Sequence, residues 1–427
     1  MHIFGIMMAV FGITIFMGLP IAYSIGISGI TALVMSGMSI EFIAKTAFTG
    51  LDSYTFLAIP MFILAGLLME TGGISKRLVR LASSLVGDIY GGLGIVTIFA
   101  CFFFAAISGS SPATVAAIGS MMIPAMEKEK YDTAFAGALT AAAGSLGVLV
   151  PPSITMIIYA ITAEVSIGEL FMAGFLPGIL IAISLMITVY FISKKKGYRN
   201  VHAKKANLKD FLAAFSDAKW SLATPLIILG GIYSGVFTPT ESAIVAVLYA
   251  FIIGVFVHKE IKLKEIPDIL TKAALTTSTV VIILGFAIAF ARYLTLAQIP
   301  QQLAQIILSW TNNVYMIYLL FIILAFITGT FMATEAQILI FTPMFLPILK
   351  NLGVSPIHFG IIFIIAAQLG FLTPPVGVNL FVAQGLTNCS MVTISRRVAP
   401  FLVAMTITQL LLMFFPSIVM FVPKLFF

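Results

Sequence analysis

The chain has 427 residues, of which 60% are hydrophobic and only 9% are charged, and its mean hydropathy is +1.13. A soluble protein carries about a quarter of its residues as charged side chains, so this composition excludes a soluble globular domain and indicates a polytopic membrane protein. The net charge of +7 could suggest a nucleic-acid partner, but in a membrane protein the positions of the charges decide their meaning. The two cysteines, Cys101 and Cys389, form no CxxC pair and predict neither a disulfide framework nor a metal site.

The first predicted unit, residues 1–193, contains two interrupted apolar segments. Segment 89–126 has basic flanks at both ends and turns at SGSSP, residues 108–112, so we expect a re-entrant helical hairpin. Segment 132–163 contains GVLVPPSI, residues 147–154. A Pro-Pro step cannot continue an α-helix, because it removes two N–H donors and its rings clash with the preceding turn. We therefore expect a broken helix.

A basic stretch at residues 194–219 follows and is predicted to be a linker in the cytoplasm. Placing the more basic side of every span in the cytoplasm assigns 19 of the 23 Lys and Arg residues to that side. Both chain ends then face outside. The basic residues left on the outer side are Lys45, Arg292, Lys350 and Lys424.

The second predicted unit, residues 220–427, repeats the pattern of the first. Segment 303–349 turns near TGTFM, residues 328–332, and segment 357–387 contains GFLTPPVG. The second Pro-Pro step lies about half a chain after the first, and the charge pattern makes the second hairpin enter from the opposite side. The predicted fold class is an all-α polytopic membrane protein: an inverted structural repeat with two re-entrant helical hairpins and two Pro-Pro-broken helices. This arrangement is typical of secondary transporters.

The predicted helix breaks contain polar backbone and side-chain groups that can bind ions. Ser111 followed by Pro112 predicts a helix N-terminus, whose free N–H groups and dipole favour an anion such as a carboxylate. Carbonyls ahead of Pro151 and Pro374 are neutral oxygens that suit a monovalent cation, and sodium is favoured over protons because acids and histidines are few at membrane depth. The alternative to an anion site at Ser111 is an ordinary Ser-Gly turn between two spans. The alternative to a cation site at each Pro-Pro step is a kink that serves only packing. The hydroxyls at these breaks belong to Ser108, Ser111, Thr330 and Thr373.

Few ionisable residues fall inside the predicted spans. Glu335, in the second hairpin, is a functional candidate, either as a direct ligand or as a helix cap. Glu70 is interpreted as solvated near a span end. Arg292 is interpreted as an outer-surface anchor, with contact to an anionic substrate as the alternative, and Asn379 is expected to face a cavity.

Three motifs carry a resemblance that runs from the first span to the last: SGSSPATVAAIGSMMIPAM from residue 108, YDTAFAGALTAAAGSLGVLVPPSI from residue 131 and FTPTESAIVAVLYA from residue 237. The chain resembles the large membrane (M) subunit of tripartite ATP-independent periplasmic (TRAP) transporters. The resemblance implies sodium-driven uptake of an organic anion, such as a C4-dicarboxylate or a sialic acid, across the bacterial inner membrane. It implies an elevator-type fold, in which hairpins and broken helices move past a fixed scaffold.

The resemblance also implies two partners, a small membrane subunit and a periplasmic substrate-binding protein. Because the first span begins almost at once, we expect the small subunit to be a separate chain. The chain departs from the family at one place: members often have an acid earlier in the second hairpin, where this chain has Ala333 and offers Glu335 instead.

Carried over onto matching positions, the resemblance implies two sodium sites and one substrate site. The first sodium site would use Ser108, Gly109, Ser111, Gly147, Val150 and Pro151. The second would use Gly329, Thr330, Gly370, Thr373 and Pro374. The substrate would lie near Ser110, Ser153, Thr155 and Asn379.

The same residues bear on other classes of function. An intramembrane enzyme would need paired carboxylates, a metal cluster or a nucleophile beside a base, and the sequence offers no such motif, so no enzymatic activity is expected. An ion channel and a symporter that needs no binding protein stay as alternatives. Residues 40–50 and 258–274 are predicted to be short amphipathic arms at the membrane interface, which either brace the small subunit or only anchor the chain to lipid.

Overall fold

A computed structural model of the chain describes residues 2–86, 89–199 and 208–426. The regular elements over these ranges are helices, which confirms the all-α prediction. Residues 200–207 of the predicted linker lie outside the described residues. Six of the described helices are long and apolar enough to cross a membrane, or seven if one bent pair counts as a single span.

The described part of the first half contains ten α-helices. The first five are α1 His2–Phe16, α2 Ile21–Met35, α3 Glu41–Leu51, α4 Ala58–Thr71 and α5 Ile74–Leu85. Five follow: α6 Gly92–Ser108, α7 Ser111–Lys128, α8 Thr133–Gly144, α9 Ile154–Ala163 and α10 Ile167–Lys196. Short 3₁₀ turns lie at Tyr54–Leu57 and Ser145–Val148.

The second half continues with α11 Leu208–Tyr233, α12 Pro239–Ile252, α13 Ile266–Leu296, α14 Ile299–Trp310 and α15 Val314–Gly329. It ends with α16 Thr334–Asn351, α17 Pro356–Gly370, α18 Val378–Gly385, α19 Met391–Phe414, α20 Pro416–Val419 and α21 Pro423–Phe426. A π-turn at Ile253–Val257 and a 3₁₀ turn at Leu263–Glu265 precede α13. Helices α6 to α10 recur in the same order as α15 to α19, with nearly the same spacing between their starts.

The first hairpin consists of α6 and α7, and its turn follows from one glycine. Gly109 adopts a left-handed φ of 59°, which ends α6 and which a residue with a Cβ would adopt only at a cost. Ser110 is then extended and occupies the N-cap position of α7, with Pro112 in the first turn. The N-cap is therefore Ser110 and not Ser111, so α7 begins one residue earlier than the Ser-Pro pattern predicts.

Both helices with a Pro-Pro step are interrupted at that step. α8 passes through the 3₁₀ turn at Ser145–Val148 to Pro151 and Pro152, and α9 begins after Ser153, whose Oγ accepts the N–H of Met156 at 3.3 Å. α17 ends at Gly370, and α18 begins only after Pro375 and Gly377. Both proline pairs are joined by a cis peptide bond.

Two expected boundaries in the second half need correction. The hairpin predicted over 303–349 is formed by α15 and α16, whereas residues 303–310 belong to the separate helix α14, which meets α15 at a bend of 120°. The bend arises because Asn313 caps α15, its Oδ1 accepting the N–H groups of Tyr315 and Met316. The stretch 258–274 is not a short arm, because residues 266–274 begin the 31-residue helix α13. Residues 41–51 do form a separate helix, α3.

The helices that lead to the two breaks form the centre of the fold. α17 is buried from Ile357 to Gly370, and α8 is buried from Ala134 to Gly144. A helix that is apolar all round is a core helix, and the small residues of α8 allow its neighbours to approach closely. α7 and α19 pack on α8, and α15 packs on α17. α4 packs on α12, and α2 and α3 pack on α13, which also contacts α16.

Candidate functional site

A cavity of about 350 Å³ lies where the two hairpin tips meet the two broken helices. Its wall includes the first hairpin tip from Ser108 to Ala113 and the start of α16 from Ala333 to Glu335. The wall also includes α4, through Glu70, and α13, through Thr276. The cavity therefore lies where the hairpin tips approach helices α4 and α13.

The first hairpin tip lies directly on the first break. A Cβ at Gly147 would lie 2.5 Å from the Ser110 carbonyl oxygen and 2.6 Å from Oγ1 of Thr114, so no side chain fits there. A Cβ at Gly109 would approach the Pro152 carbonyl oxygen to 3.2 Å. The Ser108 and Thr114 hydroxyls lie 2.9 Å apart. Four of the six residues predicted for the first sodium site therefore lie close together: Ser108, Gly109, Ser111 and Gly147.

The second hairpin tip contacts the second break in the corresponding way. A Cβ at Gly370 would lie 2.5 Å from Cα of Gly329, so two glycines permit the backbones to touch. The Thr330 carbonyl accepts the N–H groups of Val376 at 3.2 Å and Gly377 at 3.0 Å. Gly329, Thr330 and Gly370 of the predicted second sodium site are therefore neighbours.

The remaining residues of the predicted sodium sites differ in exposure. Val150 and Pro151 are buried in the first break. α10 passes close to that break, since a Cβ at Gly174 would lie 2.8 Å from the Leu149 carbonyl oxygen. Thr373 is half-buried and Pro374 is exposed, so the second break is more open than the first.

Two of the hydrogen-bonded side-chain pairs between the halves involve the hairpins and the broken helices. Nδ2 of Asn379, on α18, donates to Oγ of Ser111, on α7, at 2.7 Å. Oγ1 of Thr155, on α9, donates to Oε1 of Glu335, on α16, at 2.8 Å. Each half-helix after a break thus bonds to the hairpin of the other half.

The two pairs occupy corresponding places in the halves. Thr155 and Asn379 are each the second residue of the half-helix that follows a Pro-Pro break. Ser111 and Glu335 each lie in the first turn of the second arm of a hairpin. The two cross-links therefore join corresponding helices of the two halves.

The oxygens at the breaks suit sodium unequally. Pro151 and Pro152 lack the N–H groups that would bond the carbonyls of Gly147 and Val148, as the sequence indicates. At the second break, however, the Gly370 carbonyl accepts the N–H of Thr373 at 2.9 Å, so the expectation of stranded carbonyls ahead of Pro374 does not hold for this oxygen.

Hydroxyl oxygens remain at the second break. The Thr330 hydroxyl donates to the Ile327 carbonyl at 2.8 Å, and the Thr373 hydroxyl donates to the Leu369 carbonyl at 3.0 Å. Donation uses the hydroxyl proton and leaves the oxygen lone pairs free for a cation. The donor set at both breaks consists of neutral oxygens, which fits sodium.

Of the four residues expected to bind the substrate, only Ser110 lies on the cavity wall. Ser153, Thr155 and Asn379 are buried, which differs from the expectation that they face the substrate. Their polar atoms bond within the protein: Ser153 caps α9, Thr155 bonds Glu335, and Asn379 also donates to the Ala141 carbonyl at 3.2 Å. These side chains hold the breaks and hairpins together.

Three residues of the cavity wall were missed or interpreted differently from sequence. Gln368, buried in α17, donates to Oγ1 of Thr334 at 3.0 Å, and its Oε1 has no partner among the described residues. A glutamine in the apolar run IIFIIAAQLG was the available signal. Glu70 lies on the wall, and not merely at a solvated span end. Glu335 is the second residue of α16, and its side chain accepts a hydrogen bond from Thr155 rather than capping the helix.

The family profile described as "Tripartite ATP-independent periplasmic transporter, DctM component" matches residues 6–418. The chain belongs to the DctM family. This confirms the resemblance to TRAP large membrane subunits, and the chain is an inner-membrane protein.

Several relatives of this DctM-family chain are named as transporter permeases. It is 44% identical over 412 residues to the isethionate TRAP transporter permease protein DctMQ of Oleidesulfovibrio alaskensis, covering 96% of this chain and 65% of that relative. It is 40% identical to the C4-dicarboxylate TRAP transporter large permease protein DctM of Pseudomonas aeruginosa, with 94% of each chain covered. It is 38% identical to the sialic acid TRAP transporter large permease protein SiaM of Vibrio cholerae, with 96% of each covered.

A solved structure shares the fold of this DctM-family chain. The YdaH transporter of Alcanivorax borkumensis superposes with a TM-score of 0.65 over 88% of each chain, at 13% sequence identity. At that identity the likeness concerns the fold alone. The names of the relatives in sequence describe permeases and support a role in transport without enzymatic activity.

Proposed function

We propose that this chain is the permease of a sodium-coupled system that takes up a small organic anion by an elevator motion. The observation that carries the proposal is the cavity at which both hairpin tips and both broken helices meet. Broken helices at corresponding places in two halves are the usual construction of substrate and ion sites in secondary transporters.

Sodium would bind at the two contacts between a hairpin tip and a break. Ser108 and the carbonyls before Pro151 supply oxygens at the first contact, and the hydroxyls of Thr330 and Thr373 supply them at the second. Sodium supplies the energy for uptake when it moves down its gradient together with the anion. The protein's part is to hold several neutral oxygens in one place, which the close approach of Gly147 to Ser110 permits.

The anion would bind at the N-terminus of α7. This helix begins at the cavity wall and has no acidic residue in its first turn, so its free N–H groups and dipole favour a negative charge. The start of α16 differs, because Glu335 already places a carboxylate there. The relatives are named for isethionate, C4-dicarboxylates and sialic acid, and all three are small organic acids. We propose the same class of substrate for this chain.

The elevator motion would carry the hairpins and broken helices past α4 and α13. The cavity is lined both by the hairpin tips and by Glu70 and Thr276 of these two helices. The pairs Asn379–Ser111 and Thr155–Glu335 would keep the two hairpins and the two broken helices together as one moving body.

The proposed partners are a small membrane subunit, as a separate chain, and a periplasmic substrate-binding protein. The support comes from the family description as one component of a tripartite system and from the relatives' names as large permeases. α3 offers a surface to the small subunit, because Ile43 is its only buried residue and Phe48 is largely exposed.

Uptake by proteoliposomes containing the chain, the small subunit and the binding protein tests the proposal. Ser108→Ala and Thr373→Ala each remove one oxygen, so each is expected to raise the sodium concentration needed for half-maximal uptake by about five- to hundredfold. Thr31→Ala is the matched control, since Thr31 bonds a carbonyl four residues earlier as Thr373 does but lies on α2. Equal uptake in potassium-only buffer would refute sodium coupling.

An ion channel and a symporter that needs no partner proteins would each behave differently in the same proteoliposomes. A channel cannot accumulate the anion above its external concentration, whereas the proposed symporter does. A symporter that needs no partners would accumulate the anion when only the chain is present.

A further inference from the structure

A second and larger cavity, of about 650 Å³, lies at the other ends of α13 and α16. Its walls come from α3, α9, α13, α16 and the start of α14. α13 reaches both cavities, with Thr276 at the first and Arg292 at the second. At 1.5 Å per residue these two positions are about 24 Å apart along the helix axis. We name this second space the Arg292 cavity.

The Arg292 cavity has an excess of positive charge. Among the described residues that line it, Arg292 and Lys350 are the two cations, and Glu164 is the one acid. Within the same described part of the chain, the side chains of Arg292 and Lys350 have neither an ion pair nor a hydrogen bond. These two are half of the four basic residues that the charge pattern assigns to the outer face. Two cations turned into a cleft raise the local concentration of anions.

A buried hydroxyl provides an independent observation. Thr342, on α16, lines the Arg292 cavity with 0% of its surface exposed, and its Oγ1 has no hydrogen-bond partner within the described chain. Threonine in a helix usually donates to a carbonyl of the preceding turn, which would satisfy it. A buried hydroxyl without a partner costs free energy, so an acceptor that enters the cavity is favoured at this place.

We propose that the Arg292 cavity is a second site for the transported organic anion, on the outer face, where Arg292 binds the carboxylate or sulfonate group. The guanidinium presents paired N–H groups that match the two oxygens of such a group, and Lys350 and the Thr342 hydroxyl add further donors. The site rests on the proposed function, because the anion is the transported one. In this proposal Arg292 binds the anion, whereas the sequence alone favoured a role as an anchor at the outer surface.

The position of the site gives it a place in the transport path. α13 belongs to the part proposed to stay fixed, and α16 belongs to the part proposed to move. An anion at Arg292 therefore lies between the two parts, on the side from which a binding protein would deliver it. The open cavity and the exposed cations make this a low-affinity site that retains the anion until the hairpin tips reach it.

Protection of an engineered thiol tests the site without any transport. In a background with Cys101→Ala and Cys389→Ala, Thr49→Cys places a reporter on the α3 wall of the cavity. The protein is held in neutral-lipid nanodiscs with the small subunit, and an impermeant thiol reagent is added with succinate, isethionate or N-acetylneuraminate. We expect at least one of these anions to slow labelling, and chloride at equal ionic strength not to do so.

Arg292→Gln is then expected to raise the anion concentration needed for protection by about tenfold, because one charge-assisted interaction is lost. Lys424→Gln is the matched control, since it removes a charge assigned to the same face but outside the cavity. Absence of protection by every anion, or equal protection in Arg292→Gln, would overturn the proposal. Protection produced only by adding phosphatidylglycerol would overturn it in favour of a lipid site. Labelling needs no sodium gradient, so the protection experiment can succeed or fail independently of the uptake experiment. A failure of uptake alone would therefore count against the proposed function and not against anion binding at Arg292.

Discussion

Asn379 and Ser111 are separated by 268 residues of sequence, yet their side chains exchange two hydrogen bonds. Nδ2 of Asn379 donates to Oγ of Ser111 at 2.7 Å, and that hydroxyl donates to Oδ1 at 3.0 Å. Both residues are fully buried. A half-helix of one half and a hairpin of the other are thus joined by buried polar groups. Water cannot take the place of either partner if the other is lost.

Asn379→Ala is expected to destabilise the protein by about 1–3 kcal/mol, because it leaves the buried Ser111 hydroxyl without its partner. Thermal unfolding in detergent measures the effect. Adding Ser111→Ala to Asn379→Ala should cost little more, since both single changes break the same bonds. Fully additive losses would show that the two side chains do not depend on each other.

Glu335→Gln separates the charge of this residue from its hydrogen bond. The amide oxygen of glutamine can still accept from Thr155, so the unfolding temperature should change little. The lost negative charge at the cavity wall should make sodium binding several-fold weaker in uptake measurements. Thr155→Val, which removes the bond and keeps the charge, is expected to show the reverse pattern.

Gly147→Ala should abolish uptake, because its Cβ would lie 2.5 Å from the Ser110 carbonyl oxygen and would push the hairpin tip off the break. Gly12→Ala, in α1, is the matched control, since a Cβ there meets no atom within 4 Å. Uptake and thermal stability of both variants should be measured together. Normal uptake by Gly147→Ala would contradict the close contact between hairpin and break.

The opposite orientation of the halves predicts the sides on which two equivalent lysines lie. Lys128 ends α7, and Lys350 lies in the last turn of α16, the corresponding helix of the second half. Single cysteines at these positions, in a background without Cys101 and Cys389, should react with an impermeant reagent from the cytoplasmic and outer sides respectively. Reaction of both from one side would remove the inverted repeat.

His258 predicts a pH dependence of stability. Burial lowers its pKa from 6.5, the nearby Arg77 also lowers it, and the Gly72 carbonyl, which lies 3.0 Å from Nδ1, opposes this. A carbonyl only accepts, so Nδ1 carries the proton and Nε2, buried without a partner among the described residues, is unprotonated. Folding therefore favours the neutral ring.

Its contribution to stability should be complete above pH about 6.5 and should be lost as the pH falls through the lowered folded-state pKa. Unfolding temperatures in detergent measured above and below this window test the point. His258→Asn keeps a donor for the Gly72 carbonyl and does not titrate, so its unfolding temperature should fall less in acid. An equal fall in both proteins would exclude His258 as the cause.

Much of the chain could be predicted from sequence because its signals are local. Pro151 and Pro374 mark the broken helices, and the turn at Gly109 marks the first hairpin. The all-α class and the family are confirmed. Contacts between distant segments left no local signal: nothing in the sequence around Thr155 indicates Glu335, and Gln368 was visible only as one polar residue in an apolar run. The bend between α14 and α15 depends on Asn313, whose capping role is hard to distinguish from that of any other loop asparagine.

The bonds that join the halves also set an order of events during synthesis. Thr155 precedes its partner Glu335 by 180 residues. At the usual speed of translation, Glu335 is therefore synthesised about 10–40 s after Thr155. Ser111 waits longer for Asn379. The newly inserted first half must therefore keep these polar groups occupied by lipid headgroups, water or the insertion machinery until the second half arrives. A ribosome that stalls between the two halves would leave in the membrane a fragment that cannot complete its own interior.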